Sequence, residues 1–361
     1  MRRQCRRHRH HRDDEHADQQ EWRAAKVCGR EAKHGAPSIP GRQGSGAIVY
    51  GRTAMTPSGW AGIIDSHMNM LKFLWKSGGS FPWRDAKEIR LGRWESSITD
   101  EWFRSHFIFA SDVVNTWLSE RIDVTNARIL DFGCGDGIMD LGLAMRHEAK
   151  QVLGVDIHDA HKYLLQTAKA QLGINHLPSN LKFETVPPGS SLAKMRVDAA
   201  YSWSVFEHVA PTLLPTIFSD LYETLPEGGY FFLQIEPLYY SPFGAHLSGL
   251  LAEPWVHLLH SHDELVAQIE NVEPEQMRQE QKNKTFDVCS FQDFKQYLMR
   301  EFQLLNKIKI AELEILLTQA GFSIQKKFVN RLEIAPPPQL LKLYSEEDLT
   351  SNEIRLLLQK A

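Results

Sequence analysis

The chain has 361 residues, 42% hydrophobic, 24% charged and 10% aromatic, with a formal net charge of −4. That is a globular composition with room for one large domain with insertions or two smaller ones, and it offers no overall basic field for nucleic acid or anionic lipid. The four cysteines, Cys5, Cys28, Cys134 and Cys289, form no CxxC pair, which argues against a zinc site or a disulfide framework and fits a reduced compartment.

Residues 1–64 are rich in Arg, His, Gln and Gly and show no periodicity, so they read as a disordered leader. The opening stretch MRRQCRRHRHHRDDEHADQQ lacks the apolar segment of a secretory signal. Its tract HRHHR at 8–12 has no Cys or acidic partner at ligand spacing, so a solvated tail is expected rather than a metal site. If this leader lies upstream of the true start, Met55, Met68 and Met70 are the expected alternatives. No run of about 18 apolar residues marks a spanning helix anywhere. A cytoplasmic protein without stable membrane insertion is expected.

A helical segment is expected over 65–125, where Trp102, Phe103, His106, Phe107, Phe109, Val113, Val114 and Trp117 recur at the spacing of one amphipathic helix. Strands and helices then alternate. Strands are predicted at 127–132, 151–157, 181–186, 198–204 and 230–236, and helices at 138–147, 160–173 and 211–225. Gly173 suits the helix stop, and the Gly pair at 228–229 suits a turn. Continuous apolar strands between helices imply an α/β fold, a Rossmann-like parallel sheet with helices on both faces, whose core spans 126–236. Residues 237–305 break the rhythm with an aromatic, Pro-punctuated, His-rich stretch and a polar run at 273–284. They read as an insertion or lid over an acceptor. The core ends within 306–361, where a helix, Gly321 and a strand precede PPP at 336–338 and a helical C-terminal tail.

The stretch ILDFGCGDGI (129–138) places three alternating glycines after an apolar strand that ends in an acid. A strand-to-helix turn of this kind presents backbone N–H groups and a positive helix end to a ligand. A phosphate-binding P-loop would need a Lys and a Ser or Thr that are missing here. A dinucleotide fingerprint needs a small residue where Ile138 stands. Asp131, at the strand's end, repels pyrophosphate and suits an ammonium or sulfonium. Asp156, at the end of the next strand, is placed to accept from a ribose diol. A cationic head group, a ribose and close backbone approach together describe S-adenosyl-L-methionine.

At these residues a resemblance is plain. DFGCGDG is similar to the D/E-x-G-x-G-x-G loop of class I S-adenosylmethionine-dependent methyltransferases. GVDI, DAAYSWSVFEHV (198–209), LPEGGYFFLQ (225–234) and ELEILLTQAGFSI (312–324) resemble later motifs of the branch that acts on small molecules, in the same order. The resemblance implies that Asp131 shapes the loop and meets the methionine amino group. It implies that Gly133, Gly135 and Gly137 line the backbone cradle, that Asp156 takes the ribose hydroxyls, and that Ile157 packs on adenine. It implies that Ser202, Trp203 and Ser204 lie beside the transferring methyl. One departure is clear: TVPPGSSL (185–192) carries no acid where many relatives hold the adenine amino group, which leaves backbone or Ser190 for that task.

Methyl transfer needs alignment above all, and a hydroxyl acceptor also benefits from a base. The candidates are His208 and, in the insertion, His246; His257, His260 and His262 further on show no metal-ligand spacing, so no metal is expected there. A protein without the motifs of DNA-amino, cytosine-C5 or protein-arginine methyltransferases is left with a small-molecule, glycan or lipid-linked acceptor, not nucleic acid. A nicotinamide-dependent oxidoreductase and a non-catalytic binding module are the alternatives.

Overall fold

A computed structural model describes residues 97–273 and 291–361. The leader, residues 65–96 of the expected helical segment, most of the polar run at 273–284, and Cys5, Cys28 and Cys289 lie outside the described residues. Helix α1 (Glu101–Arg104) starts where the Asp100 side chain accepts from the Phe103 N–H. It continues through a π-helical segment, Ser105–Ala110, into α2 (Ser111–Ser119), so the single helix expected here is continuous but carries a wide turn. The carbonyls that the wide turn frees are met from nearby. Ser111 Oγ donates to Phe107 O at 2.7 Å, and Arg146 Nη1 donates to Ile108 O at 3.0 Å.

Strand β1 (Arg128–Phe132) leads to α3 (Ile138–Arg146), then β2 (Gln151–Asp156), α4 (Leu164–Leu172) and β3 (Leu181–Thr185). Next come β4 (Ala199–Trp203), α5 (Leu214–Thr224) and β5 (Tyr230–Ile235). The insertion supplies α6 (Val256–Leu259), α7 (His262–Glu270) and α8 (Phe291–Leu304). The chain closes with α9 (Ile310–Gln319), β6 (Phe322–Arg331), α10 (Glu346–Thr350) and β7 (Ser351–Lys360). The strands form one sheet in the order β3-β2-β1-β4-β5-β7-β6. Strands β1 to β5 pair in parallel, while β7 runs antiparallel to both β5 and β6. The order in which successive strands are added therefore reverses between β1 and β4, and ligands of open α/β sheets bind at such a switch, off the carboxyl edge.

Each face of the sheet has its own core. Ile129, Tyr201 and Phe232 pack under α1 to α3 with Phe103, Phe107 and Trp117. Leu130, Phe231 and Leu356 pack on the other face with Phe218 of α5 and Leu313 of α9. Each large side chain buried this way stabilises the fold by about 1.5–3 kcal/mol. The insertion adds a separate apolar cluster from Tyr239, Val256, Leu265, Phe294 and Leu298.

The expected helical tail is corrected. Helix extends only to Thr350, and Ser351–Lys360 is the strand β7. Ile354, Leu356 and Leu358 fill one face of the sheet and Leu357 the other, and ladder pairing on both sides overrides local helix preference.

Candidate active site

The glycine loop closes on β2. Gly133 and Cys134 donate their N–H groups to Val155 O at 2.9 and 3.1 Å. The Asp156 carboxylate accepts from Gly135 N–H at 2.9 Å and from His158 N–H at 2.8 Å. Asp156 thus fixes the loop, and each of its oxygens keeps a lone pair for a further donor. Gly133 has no room for a side chain, because a Cβ there would lie 2.3 Å from Val205 Cγ2. Gly135 differs: its φ is +54°, and a Cβ would meet nothing within 4 Å. The loop therefore holds one residue bare of side chain over open space, a cradle for a ligand pressed against backbone.

Acids surround that cradle. Asp131 of β1 and Asp140 of α3 are both fully buried, and Tyr201 of β4 donates its hydroxyl to Asp140 Oδ1 at 2.8 Å. Burial, and then the charge of Asp140, push the Asp131 carboxyl well above the usual carboxylate range. Asp136 receives Trp102 Nε1–H at 2.7 Å and Ile138 N–H at 3.0 Å, which ties α1 onto the loop. Burial and these carboxylates, with Asp156, push the Cys134 thiol up, so it stays neutral. Four carboxyl groups around a bare loop suit a cation and oppose a pyrophosphate. Asp140 was not legible as a site residue. The available signal was an acid in a helix whose neighbours Ile138, Met139, Leu141 and Leu143 are apolar.

The other expected residues fall as follows. Ile157 is 52% exposed next to Asp156, an apolar surface open to a flat ring. Ser202 is buried and donates to Phe132 O at 2.9 Å, so its hydroxyl braces the end of β1. Trp203 packs against Phe232 and lies under the Arg355 guanidinium, 5.9 Å from its ring centroid. Ser204, with φ +50°, donates its hydroxyl to Gln234 Oε1 at 3.0 Å. A non-glycine residue in that region is strained, and such strain gathers at functional sites.

Past the ends of β4 and β5 lies a second polar group. The exposed His208 and the buried His246 meet edge to face with ring centroids 5.1 Å apart, and His246 itself has φ +58°. The insertion thus brings its histidine onto the turn that follows β4. Next to them Glu207 is 3% exposed, and burial pushes its carboxyl up to about 8. Glu236 accepts from Asn352 Nδ2 at 2.9 Å, and Gln234 Nε2 donates to Glu353 at 3.0 Å. Glu353 in turn pairs with Arg355 at 2.6 Å. Asn306 straps the turn: its N–H donates to Glu207 O at 2.6 Å and its Nδ2 to Val209 O at 3.0 Å. Asn306, Glu353 and Arg355 come from distant segments, and no local motif marked them.

The remaining insertion histidines are not gathered at this point. His257 bonds Tyr239 O at 2.6 Å, and burial lowers its pKa to about 4, so it is a neutral packing residue. His260 faces Glu253 and His262 faces Gln303. Among the described residues no three His, Cys, Asp or Glu side chains are grouped as metal ligands. Trp255 of the aromatic run is packed with Leu340 and Leu349, and its Nε1–H donates to Leu349 O at 3.1 Å. No described helix is long and apolar enough to cross a membrane.

The raised carboxyl of Glu207 sets a pH dependence. Between its ordinary 4.5 and about 8, the native state holds a proton that the unfolded chain has lost, so stability falls as pH rises through that window. Glu207→Gln cannot ionise. Its melting temperature relative to the parent should therefore be more favourable near pH 8 than near pH 5, measured by thermal denaturation at both.

A family model described as "Methyltransferase domain" matches residues 104–327. No curated protein sequence matches the chain. Similar solved structures include an S-adenosylmethionine-dependent methyltransferase from Mesorhizobium loti, 16% identical, covering 69% of this chain and 96% of that one, with a TM-score of 0.39. A second, from Methanosarcina mazei, is 19% identical over 67% of this chain and 96% of that one, TM-score 0.40. A third is the magnesium protoporphyrin IX methyltransferase of Synechocystis PCC 6803 with bound S-adenosylhomocysteine, 15% identical over 83% and 99%, TM-score 0.42. The family match spans more than half of the chain, so the chain belongs to the methyltransferase domain family. It is an S-adenosylmethionine-dependent methyltransferase, and the bare loop ringed by carboxylates fits that cofactor.

Proposed function

We propose that this methyltransferase acts on a hydroxyl oxygen of a small-molecule, glycan or lipid-linked acceptor. S-adenosylmethionine, when bound, supplies a methyl group on a sulfonium that leaves as a neutral thioether. The chain's own residues then have three tasks. Gly133, Gly135 and Gly137 offer backbone, Asp131 contributes negative charge, and Asp156 and Ile157 take ribose and adenine. Trp203 and Ser204 border the carboxyl edge on which the two substrates meet. His208 and His246 hold and remove the acceptor's proton.

The observation that supports the acceptor half is the edge-to-face pair of His208 and His246, 5.1 Å apart, built from two segments that are far apart in sequence. A base placed there contributes typically 10²–10⁴-fold to such a transfer. Incubation with methyl-labelled donor and a panel of hydroxylated sugars and metabolites tests the reading. The expected product is an alkali-stable methyl ether. His246→Ala should lower its formation by about 10²-fold or more, with S-adenosylhomocysteine binding kept. Label found on nitrogen or in an alkali-labile ester would replace the hydroxyl by another acceptor atom.

A further inference from the structure

Beneath the loop, two carboxyl groups share one sealed enclosure. Asp131 and Asp140 each have no solvent-exposed surface, and they enter it from different elements, the end of β1 and the first turns of α3. Four oxygens need partners there. The Tyr201 hydroxyl can donate once, and it donates to Asp140 Oδ1 at 2.8 Å. Both oxygens of Asp131 and Oδ2 of Asp140 are left without a donor. Two bare anions in such a place repel strongly and lack solvation, so a proton must be held. The other charged or titratable groups around the pair are Asp136 and Cys134 in the loop and Asp156 at the end of β2, with His161 beyond Asp156. Asp136 and Asp156 already accept backbone N–H groups, so neither supplies a donor.

We propose that Asp131 and Asp140 share one proton in the ligand-free enzyme and release it when the positively charged end of the cofactor settles on the glycine loop. The step balances simply. One carboxyl O–H breaks, the proton goes to solvent, and the pair passes from one negative charge to two as a positive charge arrives above it. Cofactor capture is thereby coupled to pH, and the pair favours a cationic ligand over a neutral one of the same shape. This rests on S-adenosylmethionine as the cofactor. Burial raises both carboxyls, helped at Asp131 by the charge of Asp140 and at Asp140 by that of Asp136, and Asp140 stands at about 7, which puts the exchange near neutrality.

The test is calorimetric titration of the full chain with S-adenosylhomocysteine, which carries the same amino group. Heats are compared in phosphate and Tris buffers, which differ in ionisation enthalpy, between about pH 6 and pH 8. The expected result is release of up to about one proton per site and an affinity that rises up to tenfold per pH unit at the acid end. In Asp140→Asn the like charge beside Asp131 is gone and the new amide N–H can donate to it, so the remaining carboxyl gives up its proton at lower pH. That variant should bind with less proton release between about pH 6 and pH 8 and with a flatter pH profile than the parent. Should Asp140→Asn fail to fold, Tyr201→Phe serves instead: without the hydroxyl the pair holds its proton more tightly, and the affinity profile moves to higher pH. Binding with no proton release in the parent, or equal release in Asp140→Asn, overturns the shared proton and leaves the cofactor assignment standing. No binding at any of these pH values overturns the cofactor assignment itself.

Discussion

Gly135→Val should lower affinity for S-adenosylhomocysteine by about 100-fold or more, a loss of about 2.7 kcal/mol, and leave a folded protein. Two features produce this result. The residue sits at φ +54°, where a β-branched side chain is strained by about 1–3 kcal/mol. Its Cβ meets no protein atom within 4 Å, so the added methyl groups enter the space over the loop and not the core. The variant thus separates ligand space from packing, which Gly133 and Gly137 cannot do because Val205 and Phe183 stand against them. Calorimetric titration gives the affinity, and circular dichroism with a melting curve gives the fold. Normal binding by a folded Gly135→Val would falsify the loop as the cofactor site.

Arg355→Ala should destabilise the protein by about 3–5 kcal/mol while sparing cofactor binding. The guanidinium is 8% exposed and holds Glu353, itself 2% exposed, at 2.6 Å. It also lies 5.3 Å from the centroid of Phe328 and 5.9 Å from that of Trp203. Removing it strands a buried carboxylate beside Glu236, whose own carboxyl is already pushed well above its usual range by burial and by Glu353. The cost therefore exceeds that of a surface pair, which is about 0–1 kcal/mol. Urea denaturation reads the loss. The paired change of Glu353→Gln with Arg355→Met should recover most of it, because neither charge is then left alone. A loss below about 1 kcal/mol in Arg355→Ala would mean that water reaches the pair.

The half of the molecule that carries the glycine loop was legible because its signals are local. The apolar runs of β1 and β2, the turn glycines and the acids at the strand ends all lie within a few residues of one another, and the observed strands match the expected ones to within two residues. What was missed depends on partners far along the chain. SNEIRLLLQK, read as part of a helical tail, contains Ile354, Leu356 and Leu358 in alternation, interspersed with the charged Glu353, Arg355 and Lys360. Those charges are buried only because they find partners: Glu353 and Arg355 each other, and Lys360 the carbonyls of Tyr222 and Leu225. Asp140 escaped for the same reason, since its significance comes from Asp131 and Tyr201 across the sheet. His208 and His246 were singled out by type, and only the fold brings their rings together.

The position of β7 has a bearing on how the enzyme is assembled. Strands β1, β2 and β3 and their helices come from one continuous stretch, 128–185, so the loop and its carboxylates can form early from short-range encounters. Strand β5 has no such neighbour on its outer side, because β6 reaches the sheet only through β7. Until Ser351–Lys360 slides in between them, β5 and β6 are both open edges, and Glu236 lacks Asn352 and Gln234 lacks Glu353. A chain that has not yet placed Ser351–Lys360 therefore exposes two unpaired strand edges, the kind of surface that invites pairing with other copies.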